Sequence, residues 1–271
     1  MTMYGPDSTA DPGGEPLTGG RMTRGIVRRG GTVRRPTGPW SASVHEYLRH
    51  LESRGFTGAP RVLATEPGFE VLSYLDGDVA DDPAWEPGHG ARLPGYARTD
   101  EALAGAADLI RRLHAACAGF GPRHTDYRFH PHPPRPGEVV SHGDLGPWNT
   151  VYRDGVPVAF IDWDAAQPVD PLTELAGAAW GFVPLAPPGR LAEAGFDPLP
   201  DLPSRLRLFL DAYGLAGRRQ ILPALQRSVV ISAGRVESWP IGPAGAAVSL
   251  EFHARELRWL DSVCAALAAA L

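Results

Sequence analysis

The chain contains no lysine. All 26 of its basic residues are arginine. Schiff-base catalysis and phosphate binding by a P-loop are thereby excluded, because each needs a lysine amine. Any phosphate held by a side-chain cation must be held by Arg or His. Cysteine is scarce as well. Cys117 and Cys264 are the only two, too few for a disulfide scaffold and wrongly spaced for a metal-ligand pair. Long apolar runs are absent, with no stretch near the ~18 residues needed to cross a bilayer. Basic excess is absent too. A formal charge of −5 argues against a nucleic-acid partner. The opening MTMYGPDSTADPGG has no apolar core of the signal-peptide kind. These absences predict a cytoplasmic protein with neither membrane nor nucleic acid as partner.

What remains is enough for a folded protein. The hydrophobic fraction is 43% against a charged fraction of 21%, which supports a core. A chain of 271 residues allows one large domain or two lobes. Residues 1–15 are rich in Gly, Pro and Asp and read as loosely attached. Short β-type runs follow near 16–18, 23–28 and 32–35, with Gly19-Gly20 and Gly30-Gly31 as turns. A helix is predicted over 43–54, where Val44, Tyr47, Leu48 and Leu51 share one face and Gly55 stops it. Strands at 61–65 and 69–74 flank a Pro67-Gly68 turn. Residues 76–99 read as linker or surface loop, and 100–118 as a longer helix. Further helices are predicted over 204–213, 220–236 and 246–271. The pattern gives an α+β protein: a β-rich part over 16–75 with one helix, and a mostly helical part over 76–271.

The chemistry concentrates between residues 139 and 176. SHGDLGPWN is followed by two apolar runs joined by Asp154-Gly155, a hairpin signal. Phosphoryl transfer needs a carboxylate beside the attacking hydroxyl, ligands for Mg²⁺ and a cradle for phosphates. Asp144 and Asn149 are separated by four residues, the spacing of a kinase catalytic loop. Thirteen residues beyond Asn149 comes Asp162, at the end of the second run. Asn and Asp oxygens suit Mg²⁺, which prefers hard ligands and keeps waters.

HGDLGPWN, then FIDWD, then DPLTELA resembles the aminoglycoside-phosphotransferase family, also called the phosphotransferase enzyme family. The resemblance implies a protein-kinase-like two-lobed fold. It also implies Mg²⁺ as cofactor, ATP or GTP as donor and a small hydroxylated molecule as acceptor, an antibiotic having the lead among candidates. By position it makes Asp144 the catalytic aspartate and Asn149 and Asp162 the metal ligands. His142 is expected to support the loop, and Asp164 either to assist the metal or to cap the next segment. Leu113-His114 matches a family habit of structural kind. The strand ending the small lobe, Ser73, Tyr74 and Leu75, is expected to offer backbone groups to a nucleobase. No long activation segment follows Asp162, and neither D-F-G nor A-P-E occurs, which favours a small acceptor over a peptide.

The sequence departs from the family at two places. The family's strand lysine is missing, and Arg34 in TVRRP takes its position, with Arg35 second. A guanidinium can grip phosphate bidentately. A glutamate partner on the 43–54 helix is not evident, because Glu46 falls opposite the apolar stripe and His45 and Glu52 flank it. Gly19-Gly20 is the phosphate-loop candidate. Trp180, Phe182 and Trp239 are assigned to packing, and the histidines at 124, 130 and 132 to a Pro-rich loop. The rival reading is a nucleotide-binding pseudokinase or scaffold without turnover, motivated by the missing lysine. A metal-dependent hydrolase built on His142 and Asp144 has too few ligands.

Overall fold

The computed structural model describes residues 14–17, 23 and 25–271. Its first part holds strands β1 (Glu15–Pro16), β2 (Val27–Arg29) and β3 (Thr32–Pro36), helix α1 (Ser41–Ser53), then β4 (Val62–Glu66) and β5 (Phe69–Ser73). The five strands form one antiparallel sheet in the order β1-β2-β3-β5-β4. Gly30-Gly31 and Pro67-Gly68 make the turns read from the sequence. Alternation along β3 separates its two arginines. Arg34 stands opposite Val71 and Arg35 opposite Glu70.

The second part is larger and mostly helical. It contains β6 (Asp78–Val79), α2 (Asp100–Cys117), β7 (Val139–Ser141), β8 (Thr150–Arg153), β9 (Val156–Phe160) and β10 (Gln167–Val169). Helices α3 (Pro171–Phe182), α4 (Pro188–Glu193), α5 (Leu202–Tyr213), α6 (Ile221–Arg235) and α7 (Gly242–Ala270) follow. The fold is thus α+β and two-lobed. Helix starts are set by local chemistry. The Thr99 side chain accepts from the Ala102 amide at 3.0 Å, and Asp170 accepts from the Thr173 amide at 3.1 Å. Such caps satisfy amides that have no partner within the helix. The β8–β9 hairpin turns at Asp154 and Gly155, both with positive φ (50° and 77°), as the Asp-Gly pair predicts.

Two local features depart from the sequence reading. Residues 76–99 are more than a linker, since β6 pairs with β8 through Asp78–Tyr152 and Val79–Val151. In addition, β7 and β10 pair antiparallel, Ser141 opposite Gln167. That ladder places the start of the HGD loop beside the segment following Asp162. Strands of two or three residues carry too little alternation to be read as such.

The two parts share one apolar core. Val44, Tyr47, Leu48 and Leu51 of α1 join Leu103, Leu109, Ile110 and Leu113 of α2 and the buried faces of α3, α5 and α6. Tyr47 lies 5.8 Å from the Trp163 ring and its hydroxyl is 2.8 Å from Cys117 Sγ. Fully burying a side chain of this size contributes about 1.5–3 kcal/mol. Among the described residues, no helix is long and apolar enough to cross a membrane.

Candidate active site

The HGD loop leaves β7 and is built around a buried imidazole. His142 Nε2 donates to the Ile161 carbonyl at 2.9 Å, and its Nδ1 accepts from the Asp144 amide at 3.3 Å. Burial lowers the imidazole's proton affinity, with Asp144 and Glu174 opposing, so it stays neutral and serves both bonds. Its ring also packs 4.5 Å from that of Trp163. His142 therefore joins the loop to the strand that delivers Asp162.

Gly143 has φ +78°, and a Cβ there would lie 2.1 Å from the Ala165 carbonyl oxygen. Only glycine fits this crossing. The Gly143 amide donates to Glu174 Oε1 at 2.7 Å, and Glu174 Oε2 takes His114 Nε2 at 2.9 Å. Burial alone would raise the Glu174 carboxyl, but the His114, Ser141 and Gly143 contacts outweigh it and hold it low. The Leu113-His114 and DPLTELA motifs thus meet under the loop, at Glu174.

Asp144 projects from this frame half-buried. Its Oδ2 accepts from Asn149 Nδ2 at 2.8 Å, and its carbonyl accepts from the same nitrogen at 2.9 Å. Among the described residues, Asp144 Oδ1 and Asn149 Oδ1 take no part in these bonds. The Ile161 amide donates to the Asn149 carbonyl at 2.9 Å, which brings Asn149 next to Asp162. Asp162 itself has φ 60°, a left-handed conformation uncommon outside glycine and concentrated at functional sites. Its side chain keeps 41% accessibility at the cleft mouth. Dense protein on the other sides still pushes its carboxyl up to about 6, with the Asp164 and Asp144 charges adding to the rise.

Arg35 corrects the assignment of Arg34. Arg35 is buried and Arg34 is not. Arg34 Nε pairs with Glu66 at 3.1 Å, and its guanidinium lies 3.5 Å over the Phe69 ring, on the outer face of the sheet. Arg35 faces inward, with Nε 3.1 Å from Glu70 Oε1, Nη1 3.5 Å from Asp162 Oδ1, and Nη2 bonded to Asp164. Burial opposes its charge, but Asp164, Asp162 and Glu70 outweigh burial and raise its proton affinity. The acid missing from α1 is supplied by β5: Glu70 sits directly across from Arg35 and also contacts His45 of α1. Glu46 instead faces the loop after α2, accepting from the Arg123 and His124 amides at 2.9 and 3.0 Å.

Asp164 is engaged by side chains from both parts of the fold. Its Oδ2 receives the Thr23 hydroxyl at 3.1 Å, lies 3.6 Å from Arg128 Nη1, and holds Arg35. Ser73 and Tyr74 donate their amides to the Arg61 and Gly31 carbonyls. Of the backbone groups expected to face a nucleobase, the Ser73 and Tyr74 amides are thus engaged within the small lobe. Gly19 and Gly20 lie outside the described residues. One Asp and one Asn oxygen are hard donors of the kind Mg²⁺ takes together with phosphate and water oxygens. Among the described residues no group of three or more His, Cys, Asp or Glu is placed to hold a metal ion.

Beside Asp144 a cavity of about 100 Å³ opens between α3 and α6. Trp148, Val169, Trp180, Ile231 and Arg235 are on its wall. Trp180 therefore lines the cleft besides packing. Phe182, assigned to packing, is buried and stacks with Phe209. Arg235 Nη1 donates to the Gly143 carbonyl at 2.6 Å. Sequence reading missed Arg235, which follows a helical stripe of apolar residues with nothing to mark it.

Known proteins resemble this chain in sequence and in fold. The phosphotransferase enzyme family profile matches residues 127–209, a span holding Asp144, Asn149 and Asp162. The chain is 37% identical over 210 residues, 75% of each protein, to the trifolitoxin immunity protein of Rhizobium leguminosarum bv. trifolii. A choline/ethanolamine kinase family protein from Mesorhizobium loti superposes with TM-score 0.60 at 16% identity, over 96% of this chain and 94% of that one. An amicoumacin kinase in complex with AMP-PNP, Ca²⁺ and Ami superposes with TM-score 0.61 at 10% identity, over 92% and 89%. At these identities the structures speak to fold.

Proposed function

The chain belongs to the phosphotransferase enzyme family, and from that premise we propose that it transfers the terminal phosphoryl group of a nucleoside triphosphate to a hydroxyl of a small molecule. The observation that carries the reading is the convergence of Asp144, Asn149 and Asp162 through three short bonds: His142 to Ile161, Asn149 to Asp144, and Ile161 to Asn149. An acceptor hydroxyl in the cleft meets Asp144 Oδ1, which orients it and takes its proton as the oxygen attacks. Asn149 and Asp162 would hold Mg²⁺, which supplies charge neutralisation at the phosphates. Arg35, charged and fixed by Glu70, adds a cation beside Asp162. The relative's name, an immunity protein, supports a toxin or antibiotic as acceptor and self-protection as the purpose. A reaction drawing on nucleoside triphosphate is assigned to the cytoplasm.

One observation favours a second reading, a nucleotide-binding protein without turnover. Arg35 already has three carboxylate partners, so phosphate must compete for it. Purified protein with Mg-ATP or Mg-GTP and a panel of hydroxylated antibiotics and metabolites separates the two. Phosphorylated product, seen by mass spectrometry and lost in Asp144→Asn, is the expected result. Nucleotide binding with no product and no hydrolysis supports the second reading.

A further inference from the structure

Two guanidiniums stand at the carboxylates of the FIDWD segment, and they are held in different ways. Arg35 is engaged by Glu70, Asp162 and Asp164. Arg128 comes from the loop after α2. Its Nη1 is 3.6 Å from Asp164 Oδ2, beyond hydrogen-bond reach, and among the described residues it makes no hydrogen bond. Aromatic rings fix it instead. Its guanidinium lies 4.4 Å over the Trp40 ring, at the start of α1, and 5.5 Å from that of Phe129. Glu46 of α1 pins the same loop upstream through the Arg123 and His124 amides. The Arg128 side chain keeps 15% accessibility. Its charge is felt at Asp162, whose carboxyl it draws down against the acids that raise it.

Four acids meet here, Asp144, Asp162, Asp164 and Glu70, against these two arginines. The surplus of negative charge suits a divalent cation, and net charge alone draws in no anion. Phosphate oxygens would enter with the cation, and once there they need hydrogen-bond donors. A phosphate drawing on Arg35 competes with three acids, and taking the arginine from any of them leaves a buried charge unpaired. Arg128 can turn its planar fork to phosphate without that loss, because Asp164 keeps Arg35 and the Thr23 hydroxyl. We propose, resting on the phosphotransferase reading, that Arg128 binds the phosphates of the nucleotide donor, so that the contact left open by the missing lysine comes from the helical part, while Arg35 holds Asp162 and Asp164 in place.

The test is calorimetry of the full chain in Mg²⁺, titrated with ATP, with AMP and with inorganic tripolyphosphate. Arg128→Gln should weaken ATP and tripolyphosphate about tenfold or more, the scale of one hydrogen bond to a charged group. AMP, with a single phosphate, should lose less. A double-mutant cycle separates this role from a merely structural one. If Arg128 served only to pair with Asp164, its replacement would cost nothing in an Asp164→Asn background. If it contacts phosphate, the loss persists there. Should Arg128→Gln fail to fold, the comparison within that background decides, since residue 164 then carries no charge. Equal ATP affinity with and without Arg128, a loss as large for AMP as for ATP, or a loss that vanishes in the Asp164→Asn background would each overturn the proposal. Arg128-dependent ATP binding without product from any acceptor leaves the assignment standing and removes the kinase reading. Product formation with ATP binding indifferent to Arg128 does the reverse. A wild-type chain that binds neither ATP nor tripolyphosphate overturns both.

Discussion

Arg34 and Arg35 are neighbours in sequence with opposite fates. The alternation that separates them was legible in TVRRP, but its phase was not. Phase is set by the partner strand: Glu70 lies across from Arg35, and Glu70 is 3% exposed. A search for the counter-ion along α1 could not find it, because the acid comes from the sheet. Two substitutions follow. Arg34→Ala removes a partly exposed pair with Glu66, worth about 0–1 kcal/mol, and should leave nucleotide kinetics unchanged. Arg35→Ala leaves buried Glu70 with His45 alone and buried Asp164 with Arg128 and Thr23, a loss of up to about 3–5 kcal/mol. It should also raise the Michaelis constant for nucleotide. Denaturant melts and nucleotide titrations of both variants check this, and similar behaviour of the two would contradict the geometry. At Asp144 the expectation is sharper. Asn in its place can still accept from Asn149, so the fold should persist. Turnover should fall ~100-fold or more, as removal of a general base implies. A variant retaining a tenth of wild-type turnover would remove Asp144 from the chemistry.

Among the elements, α1 does more than cover the sheet. Its apolar stripe was legible at helical spacing, and so was the outward direction of Glu46. The loop that Glu46 grips was not legible, because the contact spans 77 residues. Four donors from Arg123 and His124 converge on Glu46. They overcome the opposing effect of burial and hold its carboxyl down to about 2, against an ordinary 4.5. A lowered folded value stabilises the protein above the ordinary value, and that stability is lost as pH falls toward 2. Unfolding measured between pH 5 and pH 2 should therefore steepen at the acid end, and Glu46→Gln should flatten that limb. An identical acid profile in the variant would show that the contact carries no linkage. The HGD loop is the element read most completely, since its spacing is local. Its buried support at Glu174 was not seen in that role, because a helix interior gives no sign of what its face touches.

At the scale of the whole molecule, the two-lobed plan was legible from strand and helix order, while the join between lobes was not. That join is chemical as well as apolar. Asp162 stands at it with its carboxyl pushed up to about 6 by burial and by Asp164 and Asp144. A raised folded value favours the protonated form, so its contribution to stability is full below the ordinary 3.8 and is lost as pH rises through 6. A cation needs the carboxylate, so Mg-nucleotide binding should weaken below pH 6 and release a proton near that pH. Calorimetry in buffers of different ionisation enthalpy measures the release directly. No proton release at pH 6 would mean that Asp162 is not the ligand.

The shared core has one more consequence, for what happens when the chain is cut. Residues 82–91 cross the surface between β6 and α2, with Pro83, Ala84, Glu86 and His89 exposed. A protease nicking there severs the peptide but none of the contacts of Tyr47 with Cys117 and Trp163, nor those of Glu46 with Arg123 and His124. The fragments should elute together from a sizing column and separate only in denaturant. Two fragments expressed from separate messages, meeting at that surface, should rebuild the protein.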